Sequence, residues 1–177
     1  MDVMRAFVLV LLVAASSPAA ELDADQYFEV GVDYLKKGHF EEARAAFSES
    51  LVRAPGQPVT IALCAVAGAA EGRPTGECAL LLRWAVERTP PKKRLRFKLH
   101  ELLPSPRALA LLKAVYARRA KAPKRKKAAL TVLAFLELQD ADPGVAKSLD
   151  LLLRADPKDA YARALDRMRR PPAEVKP

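Results

Sequence analysis

The chain has 177 residues and a formal net charge of +9, with 51% hydrophobic and 29% charged side chains. So large an apolar fraction excludes an intrinsically disordered chain, and two cysteines exclude a small domain held together by several disulfides. Leucine and alanine supply most of the apolar residues, which favours helices, and the length suits one domain with its own core.

The first residues have the pattern of a secretory signal peptide. Arg5 precedes an apolar stretch at residues 6–15, and small residues follow as far as Ala20. The stretch is much shorter than the roughly 20 residues that span a bilayer, so we expect cleavage of residues 1–19 rather than a membrane anchor. No cysteine follows it, which argues against a lipoprotein, and no later segment is apolar enough to span. We therefore expect a periplasmic or secreted protein.

Residues 24–55 predict two amphipathic helices joined by a turn at Gly38. Large and small residues recur along them at fixed positions: Tyr27, Val30, Gly31, Tyr34, Gly38, Ala43, Phe47 and Pro55. This spacing resembles the tetratricopeptide repeat (TPR), a helix-turn-helix unit of about 34 residues. In that unit the small Gly31 and Ala43 let the helices approach closely, and aromatic side chains fill the space on either side. One hairpin buries only one of its faces, so the resemblance implies further units.

Three less regular hairpins follow. Residues 58–90, 92–123 and 124–157 each predict two helices, and the first helix of the third unit is expected at residues 92–103. Prolines that end the units recur at intervals of 35, 33 and 34 residues: Pro55, Pro90, Pro123 and Pro157. Residues 159–170 predict a ninth helix with one apolar stripe, as a terminal cap requires, before a disordered tail at residues 171–177. We therefore expect an all-α fold, a right-handed α-solenoid of about four TPR-like hairpins over residues 20–170 with a C-terminal capping helix.

The charge is unevenly distributed along the chain. Residues 21–57 carry 4 basic and 8 acidic side chains, whereas residues 92–125 carry 12 basic and 1 acidic. Such a cationic segment attracts anions, but a charge run is also typical of a solvated helix face. Both interpretations remain open for the third unit.

The two cysteines, Cys64 and Cys78, fall on facing helices of the second unit, at positions that the repeat register brings together. In an exported chain this predicts a disulfide, and two buried thiols are the alternative. Redox catalysis and zinc binding are not indicated, because the sequence has no Cys-x-x-Cys pair and no histidine near either thiol.

The sequence contains no enzyme signature. His39 lies in a predicted turn and His100 on the basic segment, neither of them beside a fixed acid or nucleophile. No phosphate-binding loop, zinc-protease helix or nucleophile elbow occurs. The sequence therefore predicts neither a catalytic site nor a cofactor.

In the TPR family the first helices of the units line a concave groove. Carried over to this chain, the resemblance assigns that groove to seven residues: Phe28, Val32, Leu35, Leu63, Lys93, Arg96 and His100. It implies a non-enzymatic scaffold or adaptor that binds a peptide or helix of another protein, through an apolar anchor and an acidic end. An Ala-, Arg- and Pro-rich composition without asparagine suggests a bacterial source, and hence a partner in the cell envelope.

Two alternatives to this groove remain. Its apolar members could equally pack against a neighbouring helix of the same chain. The cationic third unit could instead bind an anionic envelope polymer or a nucleic acid, although aromatic side chains for base stacking are nearly absent there.

Overall fold

The structure is a computed structural model that describes residues 22–90 and 93–170. Within these residues it has nine α-helices and no strand, which confirms the all-α prediction. The helices are α1 (Ala24–Lys37), α2 (Phe40–Arg53), α3 (Pro58–Glu71), α4 (Thr75–Arg88), α5 (Leu99–Leu102), α6 (Pro106–Arg119), α7 (Lys126–Gln139), α8 (Val145–Ala155) and α9 (Ala160–Arg169). The predicted signal peptide and C-terminal tail lie outside the described residues.

The helices α1 and α2 form the hairpin expected for the first unit. A capping box starts α1, since Asp23 Oδ1 accepts from Gln26 N at 2.8 Å and Gln26 Oε1 accepts from Asp23 N at 2.9 Å. The helix ends at Gly38, whose φ of 81° glycine adopts without strain. Gly31 lies against Phe47, and a Cβ on Gly31 would be 2.7 Å from Phe47 Cδ1. The close approach expected at Gly31 is therefore present.

The centre of the core is formed by α3 and α7. All residues from 60 to 69 and from 129 to 139 are buried, so each helix has neighbours on every face. α2 and α4 pack against α3, while α4, α6 and α8 pack against α7. Along these buried residues the two helices have no face left for a partner, so Leu63 on α3 cannot line the predicted groove, whereas Ala70 at the end of α3 is only half-buried.

The prediction of a helix at residues 92–103, the first of the third unit, is wrong. Only Leu99–Leu102 is helical there, and residues 93–98, which we call the strap, are not. Gln139 at the end of α7 supplies the physical reason, because its Oε1 accepts from Phe97 N and its Nε2 donates to Leu95 O, both at 3.0 Å. Backbone groups that a helix would pair internally are thus paired with a distant side chain.

The third unit also changes the order of packing, since α4 packs against α7. Arg119 Nη1, at the end of α6, donates to Thr75 Oγ1, at the start of α4, at 3.1 Å. Because α7 begins shortly after α6, the starts of α4 and α7 lie close together and the two helices run in the same direction. Successive antiparallel hairpins would give the opposite direction. The strap, α5 and α6 lie beside the successively packed helices α1, α2, α3, α4 and α7. The helix α5 packs against α1, and α6 packs against α7.

The helix α9 packs against α4, α7 and α8 through the apolar stripe expected of it. Asp159 caps its start by accepting from Ala162 N at 3.1 Å. Two cations of the strap bind its other end: Arg96 Nη2 donates to Met168 O at 2.9 Å, and Arg94 Nη2 to Arg170 O at 2.7 Å. Cations at a helix C-terminus are favourable because they pair the last carbonyl groups.

Candidate functional site

The apolar residues assigned to the groove are largely covered by the chain itself. Leu35 and Leu63 are fully buried, and Phe28 and Val32 are half-buried. The Phe28 ring lies 5.8 Å from the Phe47 ring, in the contact between α1 and α2. Leu35 and Leu63 therefore offer no contact to a partner in this structure, which favours the alternative that they pack against neighbouring helices.

Lys93, Arg96 and His100, also assigned to the groove, are exposed but do not share a helical face, because the strap is not helical. Arg96 binds the end of α9, as described above. His100 Nδ1 lies 3.9 Å from Asp140 Oδ1. Lys93 lines a cavity of about 440 Å³ together with Arg94 and Arg167. These three side chains thus have separate surroundings, and Arg96 binds a helix end within the chain.

The predicted Cys64–Cys78 disulfide is not present, and both cysteines are free and buried. Each thiol has its own neighbour: Cys64 Sγ lies 3.7 Å from Ser48 Oγ on α2, whereas Cys78 faces Tyr116 on α6. Burial raises the pKa of both thiols. The two helices are thus rotated so that the thiols contact different elements, and neither thiol is poised as a nucleophile.

A charged cluster joins α6 to the turn after α7. Lys113 Nζ lies 2.6 Å from both Asp140 Oδ2 and Asp142 Oδ2. Glu137 is buried beside them, and its Oε2 has no hydrogen-bond partner among the described residues. Burial, with a smaller effect of Asp142, raises the pKa of Glu137 against the opposing influence of Ser148 and Lys113. The ammonium group of Lys113 is the counter-charge of the carboxylates of both Asp140 and Asp142.

An apolar cleft of about 350 Å³ lies between the end of α3 and α6, and we call it the α3–α6 cleft. Leu111 stands at its edge with 58% of its surface exposed. Arg119 is the charged residue of the lining, which otherwise consists of Phe40, Ala69, Ala70, Gly72, Leu103, Ala108, Leu111, Leu112 and Val115. The cleft thus combines an open apolar surface with one cation.

A second exposed surface is the basic turn, residues 118–127, between α6 and α7. Its seven cations are Arg118, Arg119, Lys121, Lys124, Arg125, Lys126 and Lys127. Arg119 binds Thr75, and Lys127 pairs with Asp156 and Asp159 at 3.2 and 3.3 Å. Five of these cations belong to the cationic segment 92–125, but the groove predicted from the resemblance used Lys93, Arg96 and His100 instead. The overlooked signal is the run of four consecutive cations at residues 124–127, at the start of a helix, where positive charge is unfavourable.

No family model matches the sequence, and no curated protein or solved structure is significantly similar to it. Within residues 22–90 and 93–170, no helix is long and apolar enough to cross a membrane. The same residues contain no group of three His, Cys, Asp or Glu side chains placed to hold a metal ion.

Proposed function

We propose that the protein is a non-enzymatic adaptor that binds a segment of another protein. The resemblance of residues 24–55 to a TPR unit and the Gly31–Phe47 contact of its hairpin support this proposal. In this proposal α1 to α4 are a short right-handed solenoid of two TPR-like hairpins, and α7 to α9 close its end. The predicted signal peptide would place the adaptor in the cell envelope.

The α3–α6 cleft is the partner site that the geometry supports best. It is the apolar part of the surface between the first hairpins and the inserted α6, and Leu111 is exposed beside it. Its volume is near the lower end of the range of about 300–1,000 Å³ that is usual for ligand pockets. It therefore suits one or two apolar side chains of an extended peptide or helix, with an acidic residue of that segment facing Arg119.

An anionic polymer bound by the strap is the less supported function. Arg94 and Arg96 already bind the carbonyl groups at the end of α9. A polymer would have to compete with these contacts, whereas a partner in the α3–α6 cleft displaces none of them.

The proposal is tested by comparing two matched variants as bait in an envelope extract. Leu111→Asp places a charge at the edge of the cleft, and Val52→Asp places one on α2, where the side chain is 72% exposed. Both positions are open to solvent, so neither change should unfold the protein. A protein that the wild type and Val52→Asp retain but Leu111→Asp loses supports the cleft. Equal retention by both variants, or equal loss, would refute it.

A further inference from the structure

The basic turn carries five cations without a counter-charge. Within the described residues, no ion pair or side-chain hydrogen bond involves Arg118, Lys121, Lys124, Arg125 or Lys126. Beside them a shallow cavity of about 370 Å³ is lined by Lys124, Lys127 and Leu80, and no acidic side chain lines it. Leu80 is 68% exposed. The surface is therefore cationic with one protruding apolar side chain.

Folding alone does not explain the cations at the start of α7. The N-terminus of a helix carries a partial positive charge, so neighbouring cations destabilise it, whereas cations in the last turn, such as Arg118 in α6, are favourable. Lys124, Arg125 and Lys126 are consecutive at the unfavourable end, followed by Lys127, whose ion pairs with Asp156 and Asp159 account for its own position. No side chain caps this helix start. Residues that oppose the local preference of their element occur mainly at functional sites.

We propose that the basic turn and Leu80 dock the protein onto an anionic lipid surface. Each Lys or Arg close to such a surface strengthens binding about fivefold, and an apolar side chain that enters the interface adds to this. Single-stranded nucleic acid fits less well, because residues 117–128 contain no aromatic side chain to stack on bases. The basic turn shares Arg119 with the α3–α6 cleft, but Leu80 and the other cations of the turn do not line that cleft, so the two proposals do not depend on each other.

Co-sedimentation with vesicles tests the proposal on the mature protein. We expect binding to vesicles of equal parts phosphatidylglycerol and phosphatidylcholine, no binding to phosphatidylcholine alone, and weaker binding as salt rises. Lys124→Glu with Lys126→Glu should weaken binding at least about 30-fold, since two cations are lost and two anions are added. Lys36→Glu with Lys147→Glu changes the net charge equally at exposed positions outside the basic turn, and should weaken it less than about threefold.

Thermal unfolding separates lost binding from lost folding. Because Lys124→Glu and Lys126→Glu replace unfavourable cations at the start of α7 by favourable anions, this variant should unfold at the same or a higher temperature than the wild type. Leu80→Ser should also weaken vesicle binding. Absence of binding to the anionic vesicles at low salt would overturn the proposal, as would equal losses from the two charge-reversed pairs. Binding of poly-glutamate without binding of vesicles would assign the surface to an acidic protein instead.

Discussion

Arg83 and Asp159 form a bidentate ion pair between α4 and the start of α9. Nη2 and Oδ2 are 2.7 Å apart, and Nη1 and Oδ1 are 3.1 Å apart. Lys127 of α7 approaches the same carboxylate, which is almost completely buried. Burial by itself would raise the pKa of Asp159, but hydrogen bonds from Arg83 and from the backbone of Ala162 hold it at about 2. One carboxylate thus connects three helices.

Replacing Asp159 by Asn should lower the free energy of unfolding by about 2 kcal/mol at pH 7. Asparagine can still cap α9 but leaves Arg83 without its counter-charge and Lys127 with Asp156 alone. Since the pKa of Asp159 is below the unfolded value, the carboxylate stabilises the fold above about pH 4, and the effect is lost as the pH falls towards 2. Urea unfolding of the wild type and the variant at pH 7 and near pH 2 measures the loss in unfolding free energy and its pH dependence.

The control for this prediction is Asp150→Asn, which removes an exposed pair with Arg154 whose Nη2–Oδ2 distance is 2.9 Å. It should cost less than about 1 kcal/mol. An Asp159 variant that loses no more than this control, or whose loss is unchanged near pH 2, would contradict the prediction.

Replacing Gly31 by Ala should destabilise the first hairpin by about 1–2 kcal/mol, net of the better helix propensity of alanine. The new Cβ would lie 2.7 Å from ring atoms of the fully buried Phe47, so the ring must move. Gly76→Ala in α4 is the matched control, because nothing lies within 4 Å of a Cβ there. It should stabilise the protein by about 0.5–1 kcal/mol. Denaturant unfolding that gives both changes the same sign would contradict this account.

Local signals were sufficient to predict most of the helices but not the third unit. Gly38 and the spacing of apolar residues define α1 and α2, and α7 and α8 form within residues 124–157 as predicted, because their apolar runs and flanking residues are local. The strap could not be predicted in this way. Leu95, Leu99 and Leu102 have helical spacing, but the hydrogen bonds from Gln139 that decide the conformation of the strap come from far along the chain.

The site was predicted less well, for related reasons. Whether Leu63 faces a groove depends on what covers α3, and in the structure α2 and α4 pack against that helix. Whether Cys64 meets Cys78 depends on the rotation of α3 and α4 about their axes, which a repeat register specifies only to within one residue. The burial of a side chain and the distance between two thiols depend on tertiary packing, which the residue spacing of one hairpin does not specify.

The thiols of Cys64 and Cys78 should be unoxidised and, in the folded protein, shielded from reagents in solution. In native protein we expect slow reaction with a thiol reagent, since both are buried and burial raises the pKa of each. In protein unfolded without reductant, both cysteines should react. A reagent count of zero thiols in the unfolded, unreduced protein would show that the Cys64–Cys78 disulfide forms after all.

Replacing Glu137 by Gln should raise the melting temperature at pH 7 by a few degrees, a shift that corresponds to about 1 kcal/mol. Burial raises the pKa of Glu137, so the protonated carboxyl stabilises the fold below the unfolded pKa. That contribution is lost as the pH rises through the folded pKa. The neutral glutamine avoids this loss, and the gain should be small near pH 4. Melting curves that show the reverse pH dependence would mean that Glu137 is held ionised by Lys113.

Replacing Gln139 by Leu should release the strap from the end of α7. Leucine is of similar size but leaves Phe97 N without an acceptor and Leu95 O without a donor. Two backbone groups left unpaired at a buried site cost about 2–4 kcal/mol if the strap stays in place, so we expect it to detach and hydrate instead. The measurement is hydrogen exchange of the Phe97 amide, which should become fast in the variant. Gln57→Leu is the control, because that side chain is exposed and makes no capping hydrogen bond at the start of α3. Phe97 exchange that stays slow in the Gln139 variant would mean that the Phe97–Phe135 ring contact, at 6.0 Å, holds the strap without the amide.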